Sequence, residues 1–190
     1  ARHGKARHAL TIERFDRLDG YRLHCLSART ALRAARLPES YSALATVLLR
    51  LARPDTQVAQ REELFKRMVF NILMDNTDDH ERNHSLRLGL DGYYELTPAY
   101  DLVPTLLNMG RQSMGVGAAG AESTLENALT ELREFGIKRP RATELIGQVA
   151  RVVSGWQDHF VRQGVCLKDM ELLQASIDRD ALKEQRAAFL

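Results

Sequence analysis

The sequence predicts a mainly α domain carrying one small β hairpin, and three observations predict it. Between Thr56 and Met74 the apolar residues Val58, Leu64, Phe65, Met68, Val69, Ile72 and Leu73 follow helical spacing, with Arg61, Glu62, Lys66 and Arg67 on the other side. The last third of the chain is rich in helix formers and is interrupted by Gly136, Pro140 and Gly164. Only one segment alternates clearly: Leu86, Leu88 and Leu90 are followed by Asp91-Gly92, a two-residue hairpin signal.

The elements follow in order. Residues 8–17 lean towards a strand through Leu10, Ile12 and Phe15, and break at Asp16 and Asp19-Gly20. A helix is expected from Arg22 to Ala35, closed by Leu37-Pro38. Residues 39–52 are apolar nearly all round, which predicts a helix inside the core. The helix of 56–74 runs out at Asp75-Asn76, giving an acidic loop and then the hairpin of 84–97. A loop bounded by Pro98 and Pro104 comes next, then a stretch with prominent Gly and Ser over 110–123. Helices are expected near 122–135, 141–163 and 169–188.

At 190 residues the chain is long enough to bury a core as one domain or one large lobe. A formal net charge of +2, with arginines scattered rather than gathered, argues against direct nucleic-acid binding. No apolar run reaches the length of a membrane span, and no apolar segment follows the N-terminal basic residues as a secretory signal would require. Cys25 and Cys166 form no metal or redox motif and are expected to be buried free thiols in a cytoplasmic protein. Arg2, His3, Lys5, Arg7 and His8 make a local basic cluster, expected to be a disordered tail. The chain opens on Ala1, which suggests a piece of a longer protein.

"DNTDDHERNHSL", residues 75–86, carries two overlapping motifs. His80-Glu81-Arg82-Asn83-His84 is an H-E-x-x-H, the zinc metallopeptidase pattern. That chemistry needs a stable helix, on which both imidazoles pinch one metal while the Glu activates water. Here helix-disfavouring residues precede the motif, a strand follows it, and the extended motif's third histidine is missing: Leu90 stands there. The second motif is Asp78 and Asn83, D-x-x-x-x-N. Phosphoryl transfer needs a carboxylate to accept the attacking hydroxyl's proton, and an amide oxygen and a second carboxylate to hold Mg²⁺. Asp78, Asn83 and Asp101 fit that need, because the hairpin returns Asp101 towards the loop. Asp79 is expected to be merely solvated.

"NTDDHERNHSL" followed by "ELTPAYDLVP" resembles the C-terminal region of the HipA-like serine/threonine kinases, the toxins of bacterial toxin–antitoxin pairs. The resemblance implies the large, C-terminal lobe of a protein-kinase-like fold. Residues 1–20 would be a basic tail and a hinge-like segment. Residues 21–190 would be the helical lobe, with a catalytic loop at 76–84, the hairpin at 84–97 and a metal loop at 98–104. By position Asp78 would be the catalytic base, and Asn83 and Asp101 the Mg²⁺ ligands. His80 would orient the loop or touch the γ-phosphate of ATP. Arg82 takes the place of the family's lysine, a longer, forked cation in that position. His84 would be structural.

"IERFDR" resembles the family's hinge, so Glu13 and Phe15 would offer backbone atoms to adenine and Asp16 would accept from the ribose. Too few residues precede that segment for a kinase N-terminal lobe, which would have to be supplied in cis or in trans. The implied partners are a protein substrate such as a translation component and an antitoxin protein. The resemblance leaves a non-catalytic docking module as the alternative, and a zinc peptidase after it. Gly115, Gly117 and Gly120 form a literal G-x-G-x-x-G, but it follows the catalytic loop and enters no βαβ unit. A mobile connection that gates the site or receives substrate is expected there.

Overall fold

The computed structural model describes residues 11–190, so the basic cluster at Arg2–His8 and the start of the segment 8–17 lie outside the described residues. Residues 11–14 are irregular. The first regular structure is a two-stranded ribbon, β1 (Arg17–Leu18) and β2 (Tyr21–Arg22), turning on Asp19 and Gly20, both with positive φ.

The expected helix from Arg22 begins later. Cys25–Ser27 form β3, and α1 occupies Ala28–Ala35. Ser27 ends the strand and caps the helix, accepting from the Thr30 amide. α2 (Tyr41–Leu51) is capped in the same way by Ser40 and is buried along most of its length, as expected. α3 (Gln57–Leu73) matches the periodic segment closely.

β4 (Ser85–Leu88) and β5 (Tyr94–Leu96) form the expected hairpin, and β3 adds to its other edge. Leu26, Leu86 and Leu96 stand opposite one another across this antiparallel sheet, with Leu86 fully buried. The turn is longer than the expected two residues. Gly89 and Tyr93 close it by a 2.8 Å hydrogen bond, and Gly92, at φ +82°, takes the left-handed position of a three-residue loop.

The C-terminal region is more divided than its composition suggests. The helix expected over 122–135 is two single turns, α4 (Leu125–Ala128) and α5 (Leu132–Phe135). Pro140, expected to break a helix, lies in the first turn of α6 (Arg139–Ser154), where a missing N–H costs nothing. Gly155 then separates α6 from α7 (Trp156–Arg162). The last expected helix is α8 (Leu167–Ile177) and α9 (Asp180–Ala187).

The core lies among α2, α3 and α6. Leu44, Leu48, Leu64, Met68 and Ile146 are fully buried, and Phe65 meets Phe135 edge to face at 5.3 Å. Burying each such side chain contributes about 1.5–3 kcal/mol. Among the described residues no helix is long and apolar enough to cross a membrane. Both cysteines are free, but neither is buried: Cys25 is half-buried and Cys166 exposed.

The glycine-rich segment is a fixed turn. Asn127 accepts from the Ala119 amide at 2.9 Å and donates to the carbonyls of Gly120 and Glu122. Thr130 accepts from Ala118 at 2.8 Å. Gly117 packs so tightly that an added Cβ would stand 2.1 Å from the Asn127 carbonyl.

Candidate active site

The loop of residues 75–84 begins where α3 stops. Asp75 takes φ +55° and turns the chain away from the helix axis. The loop then returns to α1, whose first amides have no partner inside their own helix. Ala28 donates to the carbonyl of His84 at 2.8 Å and Arg29 to that of Glu81 at 3.0 Å. A strand-to-helix junction thus fixes the far end of the loop.

Beneath the loop, Asp79 is 1 % exposed, contrary to its expected solvation. Its Oδ2 accepts from the Tyr41 hydroxyl and meets His84 Nε2 at 2.7 Å. A buried carboxylate persists only with such donors. Burial first, and the Asp79 charge second, push the Tyr41 hydroxyl well above its ordinary value, so it remains a donor. Asn71 donates to Tyr41 at 3.2 Å and accepts from Asn76 at 3.0 Å, and Asn76 also reaches the Asp101 carbonyl at 3.4 Å. One polar chain therefore runs under both loops.

Above it is a small cavity of about 140 Å³ lined by Asn76, Asp78, Asn83, Asp101, Val103, Pro104 and Thr105. Asp78 and Asp101 are both exposed. Among the described residues no side chain forms a hydrogen bond or ion pair with either carboxylate. Asn83 Nδ2 points to the Asp78 carbonyl at 3.5 Å. Asp101 sits at φ +58°. Its neighbour Tyr100 donates to the Arg82 carbonyl at 2.7 Å and bonds Ser85 at 2.6 Å, tying segment 98–104 to the loop of residues 75–84 and to β4. Two carboxylates and two amides supply hard oxygen donors, the type Mg²⁺ takes.

The fold thus brings Asp78, Asn83 and Asp101 into one cavity. Asn76 lines it too and was missed as a site residue; its signal was the asparagine that opens the motif two residues before Asp78. The other expected residues do not line this cavity. His80 is half-buried, with Nδ1 enclosed and unpaired. Arg82 is exposed. Phe15 stacks on Tyr100 at 5.8 Å, which carries the hinge-like segment to the neighbour of Asp101. Its carbonyl already accepts from Arg87 at 3.0 Å. Glu13 is exposed, and Asp16 is held by Arg14 at 2.7 Å, whose hydrogen bond keeps that carboxyl below its usual range.

The zinc arrangement does not form. Residues 79–84 contain turns and no helix, His84 is committed to Asp79, and no three metal-binding His, Cys, Asp or Glu side chains converge among the described residues.

The family model of the HipA-like C-terminal domain matches residues 1–156. Comparison with curated proteins returns no match. Among solved structures, a chain of the Shewanella oneidensis MR-1 toxin–antitoxin complex of HipA, HipB and operator DNA is similar in fold. Its TM-score is 0.66 at 18% identity, over 93% of this chain and 46% of that one. The chain spans about half the length of that neighbour, and the family match and the likeness in fold together fit a kinase-like lobe.

Proposed function

The chain belongs to the HipA-like C-terminal domain family, and from that membership we propose that it is the catalytic lobe of a serine/threonine protein kinase. The reaction is Mg²⁺-dependent transfer of the ATP γ-phosphoryl group to a protein hydroxyl. The observation that carries this reading is the cavity where Asp78, Asn83 and Asp101 meet, with neither carboxylate paired to a side chain among the described residues.

Asp78, exposed at the cavity mouth, accepts the proton of the attacking Ser or Thr hydroxyl as its oxygen bonds the γ-phosphorus. The bond to the β–γ bridging oxygen breaks, and ADP leaves. Asn83 and Asp101 hold the metal, and His80 and Arg82 lie on the same loop as further candidates for phosphate contact. Mg²⁺, when bound, neutralises charge on the phosphates. Glu13 and Phe15 are the candidates to offer backbone atoms to adenine and Asp16 is the ribose candidate, on a segment that the Phe15–Tyr100 stack brings beside Asp101. The reading includes a second lobe, in cis or in trans, to cover the triphosphate. It also includes a protein substrate, such as a translation component, an antitoxin-type protein partner, and a cytoplasmic setting. The neighbouring structure supports the antitoxin partner through its HipB component.

A thermal-shift titration with Mg²⁺–ATP tests it. At a hundredfold excess over Kd, binding adds about 2.7 kcal/mol, or about 5–10 °C for a chain of this size. The shift should vanish in Asp101→Ala. No shift in the wild type, and no phosphoryl transfer once an N-terminal lobe is restored, would overturn the kinase reading in favour of a docking module.

A further inference from the structure

We propose that Ser176, at the end of α8, and Arg179, between α8 and α9, are positioning residues for the candidate site, acting through Asp75. The proposal rests on the kinase reading for its functional meaning, but not for its geometry.

Asp75 is an L residue held in the left-handed region, a conformation that persists where the surroundings impose it. Its side chain is 2 % exposed, and both oxygens are taken from one direction. Arg179 Nη2 donates to Oδ1 at 2.6 Å and Ser176 Oγ to Oδ2 at 2.6 Å. Arg179 Nε also donates to the Ser176 carbonyl at 3.0 Å, so the guanidinium clips the end of α8 to the start of the catalytic loop.

The main chain of Asp75 faces the other way. Its carbonyl accepts from the Thr105 amide at 3.0 Å and from the Thr105 hydroxyl at 2.9 Å. Thr105 Oγ1 also meets Thr77 Oγ1 at 2.6 Å. Thr105 and Asn76 both line the carboxylate cavity. A single residue therefore ties the C-terminal helices to both loops that form the site. Asp78, Asn83 and Asp101 do no part of this work, because their side chains face the cavity. Ser176 and Arg179 lie beyond residue 156, where the match to the family model ends. The posture of the family's site thus depends, in this chain, on a segment outside the matched region.

Hydrogen–deuterium exchange on the full chain tests this without requiring turnover. Arg179→Met should raise exchange at least tenfold in peptides covering 75–84 and 98–113, with α2 and α3 unchanged. Ser176→Ala and Arg179→Lys should give smaller increases in the same peptides. In parallel, Arg179→Met should weaken Mg²⁺–ATP binding at least tenfold, and Arg179→Lys should recover part of it. Unchanged protection in both loops, or a rise spread equally through α2 and α3 in Ser176→Ala as well, would overturn the proposal. If the wild type binds no nucleotide and restoring an N-terminal lobe gives no phosphoryl transfer, the kinase reading fails while the exchange result still decides the positioning role.

Discussion

Tyr41 and Asp79 are 38 residues apart, yet the tyrosine hydroxyl is one of two donors that allow the Asp79 carboxylate to be buried. Tyr41→Phe keeps the ring and removes that donor, leaving a buried charge short of a partner. It should cost about 1–3 kcal/mol, measured as a lower midpoint in urea denaturation with an unchanged slope. A shift below about 0.5 kcal/mol would mean that His84 alone satisfies the carboxylate. At this scale the sequence is legible where spacing carries the chemistry. Asp78, Asn83 and Asp101 share a cavity as their intervals suggest, and His84, expected to be structural, lies buried against Asp79. Asp79 was illegible because its fate depends on a donor from α2 that no local pattern announces. Asn76 was overlooked because an amide without charge looks like a helix terminator until its contacts to Asn71 and Asp101 are seen.

Local periodicity and non-local pairing divide the elements in the same way. α3 follows from its own apolar spacing, and α2 from being apolar nearly all round. β3 does not, because Cys25–Ser27 are strand residues only through pairing with Arg87–Ser85 far along the chain. The glycine-rich turn looked mobile from composition, yet its glycines serve close packing and an unusual dihedral. Gly117→Ala would drive a methyl group into the Asn127 carbonyl and the Thr130 hydroxyl. It should destabilise by about 1–3 kcal/mol, as overpacking does. Gly120→Ala meets open space but imposes a side chain at φ +67°, for about 1–2 kcal/mol. Thermal denaturation separates the causes: Gly120→Asn should cost less than Gly120→Ala, because Asn tolerates the left-handed region, whereas Gly117→Asn should cost more than Gly117→Ala.

Across the whole molecule, α3 and α6 are joined at the surface as well as in the core. Arg141 grips Glu62 through two hydrogen bonds of 2.8 and 2.7 Å. Those bonds hold the Glu62 carboxyl below its usual value of 4.5. A lowered folded pKa places its stabilisation above the ordinary glutamate range and removes it as pH falls through the folded value. Glu62→Gln should therefore cost about 0.5–1 kcal/mol at pH 7, with the gap to wild type closing on acidification below pH 4.5. A gap that persists at pH 2 would assign the loss to packing. The mainly α class was legible because helical spacing is a short-range signal repeated many times. The division into short helices was not, because Gly155 and the α4–α5 junction act through the packing they permit. The ion pair between Asp75 and Arg179 spans 104 residues, and that interval has a meaning in time. A growing polypeptide emerges from its N-terminus at about 5–20 residues per second. The bend that shapes the site is thus made roughly 5–20 seconds before its counter-charge exists. That order of synthesis leaves the bend without its electrostatic partner until the segment carrying α8 and the start of α9 has been made.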